Sequence, residues 1–225
     1  MARQARRHTA APYFHVTNRA ARKERIFLRP KDYRAFVQVL TEGLERHPVR
    51  LLSYCLLSNH WHLVLGPPST MALTDFVKWV TATHAIRWHR AHQSVGFGPV
   101  YQGRFHAEPI EQPGQLVSVM RYVERNALSA GLVSRAQDWP WCSLADRLRP
   151  DPDLPLVCAP YLASDSWMAY VNSILTTRDR LGCRLTFVPR TPETVEKSYV
   201  PLSRDLLDHL PEDPGRFAGA VERVE

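Results

Sequence analysis

No stretch of this 225-residue chain is apolar for long enough to cross a bilayer, and the basic start, Met1 to His8, has no apolar segment behind it. The composition therefore predicts a soluble, unexported, cytoplasmic protein with no membrane partner. Cysteine is scarce. Cys55, Cys142, Cys158 and Cys183 are scattered, with neither the density of a disulfide scaffold nor the paired spacing of a zinc site, so reduced and mostly buried thiols are expected. Internal repeats and a sharp domain boundary are also lacking. What the chain does have is an apolar fraction of 44%, ample for a core.

Charge is distributed unevenly. Residues 1–31 hold nine basic groups (Arg3, Arg6, Arg7, Arg19, Arg22, Lys23, Arg25, Arg29, Lys31) against Glu24 alone, a local balance of 9 − 1 = +8. The remaining 29 − 9 = 20 basic and 22 − 1 = 21 acidic residues nearly cancel. Such a concentration suits a polyanion, though a solvated leader that aids solubility would read the same way.

Tyr13, His15 and Thr17 alternate with Phe14 and Val16, predicting a strand with one polar and one apolar face. A basic loop, 19–25, follows it. Tyr33, Phe36, Val37, Leu40 and Leu44 recur at helical spacing after Pro30, and His47-Pro48 stops that helix. Two apolar runs, 49–57 and 60–65, flank Ser58-Asn59, the composition of a tight hairpin turn. A long helix over 71–92, an irregular stretch over 93–105, a short strand over 106–111 and a third helix over 115–129 complete the pattern, with Gly131 where a helix C-cap belongs. A further short helix is expected over 167–175. The order strand, helix, strand, strand, helix, strand predicts an α+β, ferredoxin-like split βαβ fold. It is an antiparallel four-stranded sheet with helices on one face, plus an added third helix and a C-terminal extension.

His60 and His62 share one face of the third strand, while Trp61, Leu63 and Leu65 point the other way. Two imidazoles side by side can hold a divalent cation and leave positions open for substrate oxygens, although a polar sheet face can carry such a pair by coincidence. On the third helix Tyr122 and Asn126 lie four residues apart, hence on one face. Packed on the open face of the sheet, that helix would bring Asn126 to a cation on the two histidines and set Tyr122 beside it. Two nitrogens and an amide oxygen suit Mg²⁺ or Mn²⁺. A tyrosine at the edge of an apolar stripe can equally be packing alone.

The runs Tyr54-Cys-Leu-Leu-Ser-Asn-His-Trp-His-Leu-Val-Leu65, Tyr101-Gln-Gly-Arg-Phe105 and Tyr122-Val-Glu-Arg-Asn-Ala-Leu-Ser-Ala-Gly-Leu-Val133 together resemble the IS200-like single-tyrosine transposases of the HUH type, and most of all the REP-associated tyrosine transposases. His15-Val-Thr-Asn-Arg19 with Arg25-Ile-Phe27 and Asp32 resembles the family's opening, and Trp139-Pro-Trp-Cys-Ser143 its later segment. The resemblance covers residues 12–145. It divides the chain into a basic segment (1–11), a transposase domain (12–145) and an extension of unknown role (146–225). It implies that Tyr122 is the nucleophile and that His60, His62 and Asn126 are ligands of Mg²⁺ or Mn²⁺. Ser58 and Ala127 stand where relatives commonly carry proline, and neither change removes a reacting group.

The implied activity is metal-dependent cleavage and rejoining of single-stranded DNA at a hairpin-forming repeat, through a 5′-phosphotyrosine. Arg7, Arg19, Arg22, Lys23, Arg25 and Arg104 are the expected DNA-binding residues, with Tyr101 and Phe105 available to stack on unpaired bases. The longer C-terminal part favours a monomer over a helix-exchanged dimer. Two other readings stand beside this one. A silent DNA-binding regulator on the same fold would bind DNA regardless of Tyr122. A metallohydrolase would activate water at His60 and His62 and form no covalent adduct.

Overall fold

The computed structural model describes residues 11–157 and 159–174. Four strands, β1 (Tyr13–Arg19), β2 (Arg50–Leu57), β3 (His60–Gly66) and β4 (His106–Ile110), form one antiparallel sheet in the order β2-β3-β1-β4. Helices α1 (Pro30–Arg46) and α2 (Thr70–Ala91) connect β1 to β2 and β3 to β4, giving the split βαβ order read from the sequence. Pro30 opens α1, whose N-terminus is closed by Asp32. Its Oδ2 accepts hydrogen bonds from the Leu28 and Arg29 amides at 3.0 and 2.9 Å. Ser58 and Asn59 make the β2–β3 turn.

Both faces of the sheet are covered. Phe14, Val16, Leu56, Trp61, Leu63 and Leu65 pack against the apolar stripes of α1 and α2. Tyr13, Cys55, Leu57, Val64 and Ile110 pack on the other side against Leu116, Val119, Met120 and Val123 of α3 (Pro113–Glu124). This is why the strands carry few exposed residues in spite of their alternation. A bulge between Leu51 and Ser53 lets both Leu52 and Ser53 face α3.

The third helix is shorter than its sequence periodicity suggests. α3 ends at Glu124, Arg125 is a turn, and a four-residue helix, α4 (Asn126–Ser129), follows. Gly131, at φ +69°, closes α4, with its own amide bonded to the Leu128 carbonyl and the Leu132 amide to the Ala127 carbonyl, both at 3.0 Å. Residues 139–143 then run along the outer edge of β2. The Leu56 amide donates to the Trp141 carbonyl (2.9 Å), Trp139 Nε1 donates to the Leu56 carbonyl (2.9 Å), and Cys55 pairs with Cys142. Both of these cysteines are free and buried, whereas Cys158 and Cys183 lie outside the described residues.

Two short helices, α5 (Ser143–Arg147) and α6 (Asp165–Asn172), complete the layer over α3; α6 starts before the expected Trp167 and stops at Asn172, short of the expected Leu175, because Ser173 is extended. Buried Glu124 joins this layer together. One carboxylate oxygen accepts from Trp167 Nε1 (2.7 Å), and the other from Ser143 Oγ (2.8 Å), Ser53 Oγ (3.3 Å) and Arg147. Among the described residues no helix is long and apolar enough to cross a membrane.

Candidate active site

The alternation of β3 turns His60 and His62 toward α3, and antiparallel pairing sets a row of side chains beside them. Cys55, His62, Thr17 and His106 are successive cross-strand partners, and Leu57, His60 and Arg19 form the next row. His15, two residues back on β1, shares this face. The result is a cluster of three imidazoles, with ring centroids 5.1 Å apart for His60–His62 and 5.2 Å for His15–His62. Tyr122, half-buried on α3, stands edge-on to His62 at 5.7 Å and to His15 at 6.1 Å. Asn126 begins α4 immediately beyond. The backbone of the next residue, Ala127, bonds to Cys55, the strand partner of His62, so α4 closes over the same part of the sheet.

The imidazoles are electrically set to stay neutral. Burial lowers His15 to about 4, with His106 adding to the effect, and lowers His60 to about 4, with Arg19 adding. His62, only 6% exposed, is held well below its ordinary value by burial and then by His15, His60 and Arg19. A neutral ring keeps a lone pair for a cation. For His60 the available nitrogen is Nε2, because Nδ1 lies 2.7 Å from Asn59 Oδ1, an acceptor to which only an Nδ1–H can donate. His62 Nδ1 is engaged by His15 Nε2 at 3.0 Å, and its buried Nε2 has no hydrogen-bond partner among the described residues. The Nδ2 of Asn126, a residue 8% exposed at the start of α4, is also without a hydrogen-bond partner among the described residues. Buried polar atoms without partners are rare, and an unpartnered ring nitrogen fits a group that takes up a lone pair. A half-turn of the Asn126 amide would put its oxygen in place of Nδ2. Among the described residues no group of three or more His, Cys, Asp or Glu side chains could hold a metal ion.

Over residues 9–126, more than half of its length, the chain matches the family of IS200-like transposases. The chain belongs to that family. No curated protein matches it. Among solved structures, it is similar to a REP-associated tyrosine transposase bound to a REP hairpin, at 16% identity and a TM-score of 0.54, covering 73% of this chain and 94% of that one. A putative transposase from Deinococcus radiodurans aligns at 15% identity and a TM-score of 0.40, covering 55% of this chain and 96% of that one. At such identities the first likeness is one of fold.

In this IS200-like chain the residues singled out from sequence divide by place. His60, His62 and Tyr122 come together, and the Arg19 charge reaches both histidines. Arg22, in a 3₁₀ turn after β1, and Arg104 are exposed near the same end of the sheet, where the Gln102 amide donates to the Arg19 carbonyl (2.9 Å). Arg25 is exposed but lies on the α1 side, where its charge acts on Tyr33. Arg7 and the side chain of Lys23 lie outside the described residues.

Tyr101 and Phe105 are not available to bases. They are 7% and 5% exposed, packed in the core under α2, with Tyr101 Oη accepting from Trp61 Nε1 (3.2 Å) and bonded to His84 Nδ1 (2.7 Å). The irregular stretch gave no periodicity from which to read that burial. Its exposed aromatic is Phe97. Sequence reasoning also left His15 and Asn59 out of the site. The signal was present, since in this fold β1 lies next to β3, and the polar face of one must adjoin the polar face of the other.

Proposed function

We propose that this protein cuts and rejoins single-stranded DNA, with Tyr122 as nucleophile and with His60, His62 and Asn126 holding Mg²⁺ or Mn²⁺. The observation that carries the reading is the Tyr122 ring 5.7 Å from His62, whose Nε2 is buried and unpartnered. When bound, the cation would supply positive charge to the oxygens of the scissile phosphate. The protein's own residues do the rest. Asn59 keeps the His60 lone pair on Nε2, and α3 holds the Tyr122 ring against His62 and His15. The Tyr122 oxygen bonds to phosphorus as the bond to the 3′ oxygen breaks; the phenolic proton passes to solvent and the 3′ oxygen takes one up. A 5′-phosphotyrosine and a 3′-hydroxyl result. A phenol of pKa about 10 leaves more readily than an alcohol, so the hydroxyl can reverse the step without a nucleotide cofactor.

The substrate in this reading is DNA with a hairpin and an adjoining single strand, supported by the relative bound to a REP hairpin and by exposed Arg22 and Arg104 beside the histidine end of the sheet. Residues 12–145 form the nuclease unit, and the first part of the extension braces the tyrosine helix. Arg121 and Arg125 on and after α3 both grip the end of α6 of the same chain, which favours a monomer that keeps its tyrosine helix in cis. A protein working on DNA in this way belongs in the cytoplasm.

The test is incubation of the full chain with hairpin DNA from the flanks of its own gene and Mg²⁺ or Mn²⁺, followed by a denaturing gel. A protein–DNA adduct that disappears in Tyr122→Phe and with EDTA is the expected result. Cleavage without an adduct would make the protein a metallohydrolase, and binding without cleavage on many such DNAs would make it a regulator.

A further inference from the structure

We infer that His15 is a positioning residue, whose Nε2 accepts a hydrogen bond from His62 Nδ1 and so leaves the lone pair of His62 Nε2 facing the metal site. This rests on the reading of His60 and His62 as metal ligands. The register places His15 opposite Val64, one step diagonally from His62 and on the same face. The two rings are parallel within 8°, yet their nitrogens approach to 3.0 Å. Parallel rings in face-to-face contact could not bring two nitrogens so close. The rings must therefore lie edge to edge in nearly one plane, where the lone pair of one nitrogen points along the N–H of the other.

Which ring donates decides whether His62 can bind a cation. Were His15 the donor, neutral His62 would carry its only proton on Nε2, leaving a buried N–H with no acceptor and no lone pair for a metal. With His62 as donor, Nε2 is a bare acceptor in the position of a ligand atom. His60 repeats the arrangement, its Nδ1 proton fixed by Asn59 Oδ1. The two histidines are thus backed at Nδ1 by different groups, and each is left with Nε2 as the unprotonated nitrogen, the arrangement in which an outer hydrogen bond sets tautomer and ring orientation. His15 also stands edge-on to Tyr122 at 6.1 Å, so the same side chain sets the spacing between His62 and the tyrosine ring.

The experiment measures Mn²⁺ affinity of the full chain without DNA, from the electron paramagnetic resonance of free Mn²⁺, together with the His62 tautomer by ¹⁵N NMR. Wild-type His62 is expected to carry its proton on Nδ1. His15→Leu, which has no acceptor, should weaken Mn²⁺ binding by about 10- to 100-fold. His15→Gln, whose amide oxygen can accept, should recover most of that loss, which a merely space-filling role for His15 would not predict. Wild-type affinity in His15→Leu would overturn the inference while leaving the metal reading intact, provided that His60→Ala abolishes binding; a wild-type His62 protonated on Nε2 would overturn the inference and take His62 out of the ligand set. Unchanged binding in His60→Ala as well would bring down the metal reading and His15's role with it. Should His15→Leu not fold, the wild-type tautomer alone decides.

Discussion

His84 on α2 is 2% exposed, enclosed by Phe27 and Phe36 and bonded at Nδ1 to Tyr101 Oη. Trp61 Nε1 can only donate, so Tyr101 accepts from it and gives its own proton to His84, which is neutral in consequence. Burial lowers this histidine to about 3, against an opposing pull from Asp32 and a small reinforcement from His92. The folded chain therefore refuses a proton that the unfolded chain accepts below 6.5. Stability is full above that pH and is lost progressively as pH falls from 6.5 toward 3. Melting temperatures across this window should drop for the wild type, and His84→Gln should show a shallower drop, because its share is gone while those of His15, His60 and His62 remain. A pair such as His60-x-His62 is legible in sequence, since alternation alone puts both on one face. Tyr101, His84 and Trp61 are not, because their hydrogen-bonded chain depends on how a loop, a helix and a strand meet in three dimensions.

The tyrosine-bearing helix is held by its neighbours more than by its own length. Twelve residues make α3 marginal in isolation, and two arginines tie it to α6. Arg121 donates to Ser173 O (3.0 Å), Ser173 Oγ (2.8 Å) and Ile174 O (3.1 Å) and lies over the Tyr170 ring at 4.2 Å; Arg125 donates to Val171 O (3.0 Å) and Asn172 O (2.8 Å). The Val171 and Asn172 carbonyls are among those an α-helix leaves unpaired at its C-terminus, where positive charge is favoured. Arg125→Ala should cost about 1–3 kcal/mol in urea unfolding. Hydrogen exchange should rise in α6 before it rises in the sheet, and equal loss of protection throughout would show that the clamp is not local. The sequence showed the helix's apolar stripe, Leu116 to Val123, but not its break at Arg125, since both halves keep helical spacing. Nor did the sequence show α5 and α6 as a further layer over α3, because they belong to a Pro-rich, weakly patterned region whose fit to Glu124 is visible only once folded.

Across the whole molecule, charge and chemistry meet at one end of the sheet. Part of the positive charge of the first 31 residues, legible from composition, stands there, because β1 ends at Arg19 beside His60 and the 3₁₀ turn that follows carries Arg22. Arg104 arrives from the other side, on a segment that pairs with residues 19–21 through the Ala21 and Gln102 amides. Composition could not place Arg104 there, nor set Arg25 apart beside Tyr33. If this end of the sheet tracks a DNA backbone, each arginine in contact with a phosphate contributes to the salt dependence of binding, by a slope of about 0.7 per phosphate on a single strand. Replacing Arg19, Arg22 and Arg104 together by alanine should therefore lower the slope of log K against log salt by about 2, while Arg25→Ala changes it least. Filter binding of hairpin DNA to Tyr122→Phe protein with EDTA, over a range of NaCl, separates this from cleavage. A triple variant whose slope equals that of its parent would move the DNA path off this end of the sheet.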